Sequence, residues 1–195
     1  MTTSKTSSLF CFDMDDTLFT TKGTKVHVMK FGKLVRYLTP AEFNVYKLKR
    51  NETFDFIEFR TAKIFAETAK PFGNVFRTAK KIVARFKSPN TKIVVITARP
   101  DLDDKELFIK TFAKYGFDIK KIHVYRSGNI PGPSGPAKRQ IINGIMKTNH
   151  YDVVHMFDDG IANLDAFLSL RAEYPKTKFE AFAITHDGKI VRHGV

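Results

Sequence analysis

The chain has 195 residues, a net charge of +13, 43% hydrophobic residues and 19 phenylalanines. That length and apolar content suit one domain with a buried core, 1–195, carrying a modest insertion. No apolar run reaches the ~18 residues of a membrane-spanning helix, and the single cysteine, Cys11, excludes an internal disulfide.

The first eight residues, MTTSKTSS, are polar and lack the apolar stretch of a signal peptide. With one cysteine inside an apolar stretch, the expected setting is a reducing cytoplasm. The positive charge is uneven. Residues 61–92 carry eight Lys or Arg against one acid, and residues 151–195 carry five against seven. A basic surface of this kind attracts polyanions such as nucleic acid, nucleotides or phosphorylated small molecules.

In chain order, residues 8–13 read as a buried strand that runs into Asp13, Asp15 and Asp16. Residues 24–39 read as a hairpin turning at Gly32. A short helix is expected from Pro40 to Leu48. Residues 52–72 mix a strand-like alternation, FDFIEF, with a helical pattern, FRTAKIFAETAK. Asn74 is expected to cap a helix reaching Lys87, burying Val75, Phe76, Ala79 and Phe86, with Arg77, Lys81 and Arg85 on another face.

From residue 90 the pattern alternates. KIVVIT (92–97) is a continuous apolar strand, 103–116 a helix with acids in its first turn, and 121–125 a strand. A Gly/Pro loop at 127–136 precedes the helix AKRQIINGIMK. VVHMF (153–157) is a strand ending in Asp158 and Asp159, IANLDAFLSL a helix, and 179–184 a strand turning back at Asp187-Gly188. This alternation predicts an α/β fold with a parallel sheet covered by helices on both faces. Ligands in such sheets bind outside the carboxyl ends of the strands. Asp13, Thr97 and Asp158 each end an apolar strand and are expected to converge there.

Three acids within four residues repel one another unless a cation sits among them. Carboxylates at the ends of two parallel strands suggest an oxygen-ligated Mg²⁺ site, and a carboxylate can also attack phosphorus. At these residues the chain resembles the haloacid dehalogenase-like phosphohydrolases. Their first motif, D-x-D-x-T after a strand, matches Asp13-Met14-Asp15-Asp16-Thr17. Their second, a strand ending in Thr or Ser, matches Thr97. Their third, a basic residue near a helix start, matches Lys138, with Arg139 beside it as an alternative. Their fourth, a strand ending in paired acids, matches Asp158 and Asp159.

The resemblance implies a Rossmann-like three-layer fold and Mg²⁺-dependent hydrolysis of a phosphate monoester through an aspartyl-phosphate. It implies Asp13 as nucleophile and metal ligand, and Asp15 as proton donor, then base, with its backbone carbonyl on the metal. Thr97 and Lys138 would hold the phosphate, and Asp158 and Asp159 would complete the metal site. Asp16 reads as a turn acid, and Asn163 as a residue that could support the metal site from behind.

The family selects substrate with a cap inserted between motifs. Here 84 positions separate Asp13 from Thr97 and 41 separate Thr97 from Lys138. The expectation is a β-hairpin flap or small cap at about 20–70 and no large cap. An open rim with this charge favours a nucleotide or a nucleic acid end, the 3′-phosphate first. TAR at 97–99 and the paired acids are loosely similar to the phosphatase domain of phage polynucleotide kinase-phosphatases, while no GxxxxGK[ST] loop for a kinase half occurs. Arg99 and Arg126 are candidates for contacting a second phosphate or a base. A small phosphorylated metabolite, or nucleic-acid binding without catalysis, are the alternatives.

Overall fold

The computed structural model describes residues 6–85 and 90–194. Its first strand, β1 (Ser8–Phe12), is followed by β2 (Phe19–Thr20), β3 (Val26–Lys30), β4 (Lys33–Leu38), helix α1 (Pro40–Val45), β5 (Glu52–Asp55), α2 (Ile57–Arg60), α3 (Ala62–Thr68), β6 (Lys70–Pro71) and α4 (Gly73–Arg85). The remainder runs β7 (Thr91–Thr97), α5 (Lys105–Lys114), β8 (His123–Arg126), α6 (Ser134–Thr148), β9 (Val153–Asp158), α7 (Ile161–Leu168), β10 (Lys178–Ile184) and β11 (Ile190–His193).

Six strands form the central sheet in the order β11-β10-β9-β1-β7-β8. All neighbours are parallel except β10 and β11, the hairpin expected at Asp187-Gly188. β1 lies in the middle, which is why SLFCF is apolar on both faces. Side-chain alternation sends Phe10, Phe12 and Val95 to one face, against Phe76 on α4 and Phe108 and Phe112 on α5. Cys11, Val94 and Ile96 go to the other, against Ile142 and Met146 on α6 and Leu164 and Phe167 on α7. The result is the three-layer α/β sandwich that the strand–helix alternation implies. Burial pushes the Cys11 thiol well above its ordinary range, so it behaves as a small core residue.

Residues 26–60 build a separate layer. β4, β3 and β5 form a three-stranded antiparallel sheet whose own small core is Val26, Val28 and Leu38. The β3–β4 turn is tight because Phe31 and Gly32 both adopt positive φ, 51° and 74°. The segment 52–72, ambiguous in sequence, resolves into the third strand of this sheet and two short helices.

Two helix starts differ from expectation. α6 begins at Ser134, inside the stretch read as a loop, because Pro136 falls in the first turn, where its missing N–H leaves no hydrogen bond unmade. Gly135 is required there: a Cβ would lie 2.9 Å from the Ala162 carbonyl oxygen on α7. α4 begins at Gly73, so Asn74 lies within the helix and accepts from Arg77 instead of capping the end. Its expected extension to Lys87, including Phe86, falls outside the described residues.

Candidate active site

The register of β1 and β9 sets the site. Phe12 pairs with Phe157, and the Asp13 N–H carries the ladder one step further to the Phe157 carbonyl at 2.9 Å. Asp13 and Asp158 therefore stand side by side at the carboxyl ends of adjacent strands, and both are buried. Lys138, one turn into α6, reaches between them. Its Nζ donates to Asp13 Oδ1 at 2.6 Å and to Asp158 Oδ2 at 2.7 Å, and the residue is only 2% exposed. Arg139, the alternative cation, turns away to Ser169 and Glu173.

Asp158 is fixed further by its second oxygen, which accepts from the Gly160 N–H and from Asn163 Nδ2, both at 2.8 Å. Asn163 thus braces the acid from behind. Carboxylate oxygens of Asp13, Asp158 and Asp159 all lie within 4.8 Å of one another.

The turn after β1 explains why three acids interrupt an apolar run. The Leu18 and Phe19 N–H groups both donate to the Met14 carbonyl, closing a tight loop in which Asp16 adopts φ 52°. Asp16 is a turn acid, accepting from the Thr21 N–H. Leu18 and Phe19 return to the core while Asp13 and Asp15 stay at the rim. Thr17, to which no role was assigned from sequence, accepts from the Asp159 N–H at 3.1 Å and ties this turn to the β9 loop.

Arg99, a candidate for contacting a second phosphate or a base, is 1% exposed and grips Asp15, with Nε 2.9 and 3.0 Å from the two carboxylate oxygens and Nη2 2.8 Å from Oδ1. Its guanidinium carbon lies 4.9 Å from the Phe59 ring centre and 5.0 Å from that of Phe65, so α2 and α3 of the inserted segment clamp it. Thr97 links the two, accepting from the Arg99 N–H at 3.1 Å and donating to Asp15 at 3.4 Å. No feature of the sequence pairs positions 15 and 99; the contact exists because β1 and β7 are neighbours.

The charges are unbalanced. Three acids face one cation, Lys138, in a largely dry corner. Burial alone would lower the Lys138 ammonium, but Asp13 and Asp158 outweigh it and hold it protonated well above its ordinary range. Burial, and then the neighbouring acids against Lys138, push the Asp13 carboxyl well up. Asp159, at the solvent side, is pushed up to about 7, by desolvation first and then by Asp158. Both upward shifts reflect a surplus of negative charge that a second cation would offset. A donor set of hard carboxylate oxygens, two positive charges short once Lys138 is counted, fits a hard divalent cation.

Comparison with known proteins agrees with this fold. No family model matches the chain, and no curated protein matches it. Among solved structures it is similar to the HAD domain of effector protein Lem4 from Legionella pneumophila, at 14% identity and a TM-score of 0.53, covering 91% of this chain and 86% of that one. The chain has the haloacid dehalogenase-type Rossmann-like fold. Among the described residues, no helix is long and apolar enough to cross a membrane.

Proposed function

We propose that this chain is a divalent-metal-dependent phosphatase acting on phosphate monoesters. The observation that carries the reading is the Asp13–Lys138–Asp158 cluster with Asp159 beside it, at the carboxyl rim where such sheets bind ligands. Asp13, Asp158 and Asp159 would hold the ion, with the Asp15 backbone carbonyl. When bound, it supplies positive charge that offsets the charge of an incoming phosphate.

The chain's own residues supply the rest. Asp13 attacks phosphorus, forming the Asp13–O–P bond as the bond from phosphorus to the leaving oxygen breaks. Asp15, released from Arg99 and protonated from solvent, gives that oxygen its proton. Asp15 then takes a proton from water, which attacks phosphorus, breaks the acyl-phosphate bond and regenerates the Asp13 carboxylate. Lys138 and Thr97 orient the phosphate. Arg99 is a positioning residue, since it touches Asp15 and is enclosed by Phe59 and Phe65.

The substrate favoured is a nucleotide or a nucleic acid end, with the 3′-phosphate first. The net charge of +13 supports this, as does the inserted sheet, which exposes Phe31 and Tyr37 beside Lys33 and Arg36. Aromatic and cationic side chains together suit stacking on bases and contact with phosphates. Turnover of 3′- and 5′-phosphorylated oligonucleotides, nucleoside monophosphates and sugar phosphates, with Mg²⁺ or EDTA, tests the reading. Preference for a sugar phosphate would overturn the nucleic-acid assignment. Absence of metal-dependent release from every substrate would overturn the chemistry.

A further inference from the structure

Arg126 ends β8 directly beside the end of β7, in register with Thr97. Its guanidinium stacks over the Phe108 ring, 4.7 Å from the ring centre. Among the described residues, nothing accepts a hydrogen bond from its buried Nη1. A guanidinium carries five donors, and leaving a buried one unmet is costly. Arg99, two strand positions from Thr97, spends its donors on Asp15. Arg126 does not.

Arg126 also lines a cavity of about 620 Å³ running along the edge strand. Lys105, Lys120 and His123 line it with Arg126, over apolar residues that include Leu102 and Ile122. Asp101 is the one acid in the lining, and its carboxylate accepts from Asn129 Nδ2 at 3.0 Å. Three permanent cations against one tethered acid leave the cavity positive. Burial lowers the Arg126 guanidinium somewhat, with Asp101 opposing and Arg99 adding to that effect, but an arginine stays charged at any neutral pH.

We propose that this cavity is a second anion subsite, in which Arg126 binds a phosphate or carboxylate that the substrate carries in addition to the phosphate removed at Asp13. The proposal rests on the phosphatase reading above. Stacking on Phe108 fixes the plane of the guanidinium and leaves an edge free for two-pronged contact with an oxyanion. β8 lies two strands from β1, roughly 10 Å at the usual strand spacing. Side chains reaching in from both strand ends shorten that span to one that two anionic groups on one small molecule can bridge, such as the 3′- and 5′-phosphates of one nucleoside. Lys105 and Lys120, both exposed, would add long-range attraction.

The test titrates adenosine 3′,5′-bisphosphate, adenosine 3′-monophosphate, and the monophosphate plus free inorganic phosphate into the full chain. Affinity is read by calorimetry, and the Arg126 Nε–H signal by NMR. The expected result is bisphosphate binding on the order of tenfold tighter than monophosphate, with the Arg126 signal moving only for the bisphosphate. Arg126→Gln should bring the two ligands to within about twofold. Lys105→Ala, at an exposed position, should cut the preference by about two- to threefold, and it serves as the second variant if Arg126→Gln folds poorly. Equal affinities in the wild type, a preference that survives Arg126→Gln, or a signal that free phosphate moves equally well would each overturn the subsite. Turnover without a bisphosphate preference removes the subsite and leaves the phosphatase; the preference without turnover does the reverse.

Discussion

Arg99 and Asp15 form a two-pronged ion pair, with Nε and Nη2 within 3.0 Å of the carboxylate and the guanidinium enclosed by Phe59 and Phe65. The pair joins the first and second motif strands to the inserted segment. Loss of Arg99 leaves the Asp15 carboxylate, 20% exposed, without its cation. Arg99→Ala should therefore destabilise the chain by about 3 kcal/mol, the low end for a buried pair because Asp15 keeps some solvent contact. Arg99→Lys retains charge but not the fork, so turnover should fall roughly 10- to 100-fold with less loss of stability. Urea unfolding at constant m-value and steady-state kinetics measure the two effects.

Lys138 behaves differently from the acids it joins. Lys138→Met leaves Asp13 and Asp158 adjacent, buried and without their cation, and should cost about 3 kcal/mol in EDTA. Added Mg²⁺ should recover part of that loss. Asp13→Asn removes one acid from an over-acidic cluster and still offers Lys138 an oxygen. It should abolish turnover while raising the melting temperature measured in EDTA. A drop in that temperature would show that the acids are not in excess.

The excess acid gives a definite pH dependence. Asp159 is raised to about 7 from an ordinary 3.8, so between those values the folded chain holds a proton that the unfolded chain has released. Stability in EDTA should then fall as pH rises from about 4 to 7, and Asp13, shifted in the same direction, adds to the fall. Divalent metal should stabilise more at pH 8 than at pH 5, and Asp159→Asn should flatten the profile. Melting temperature against pH, with and without Mg²⁺, reads both signs.

Gly128 lies in the turn after β8, where a Cβ would sit 2.0 Å from the Ala98 carbonyl oxygen and 2.8 Å from the Pro100 nitrogen. The backbone segment carrying Thr97 and Arg99 must move to admit any side chain. Gly128→Ala should cost about 2 kcal/mol by overpacking and lower turnover, though the residue touches no acid of the site. A variant with wild-type kinetics would show that the β7 exit tolerates displacement.

Local pattern made much of this legible. Apolar strands ending in acids marked β1 and β9, and their ends do converge, because parallel neighbours place equivalent ends on one rim. The sequence leaves Lys138 and Arg139 as alternatives; only the packing of α6 on α7 shows which one points inward. What sequence did not show depends on contacts between distant residues. Asp15 with Arg99, and Thr17 with the Asp159 N–H, arise from strand order, which no local periodicity encodes. The start of α6 was missed because Gly and Pro signal a loop unless they fall within the first turn of a helix, as Gly135 and Pro136 do.

Everything proposed for this site depends on Asp13 performing metal-dependent phosphate transfer. The most direct test is phosphate release from a 3′-phosphorylated oligonucleotide by wild type and Asp13→Asn, each in Mg²⁺ and in EDTA, beside 5′-phosphorylated and sugar-phosphate substrates. Wild type should release phosphate in Mg²⁺ alone, fastest from the 3′ end, and Asp13→Asn should release none. Release that persists in EDTA or in Asp13→Asn would contradict it.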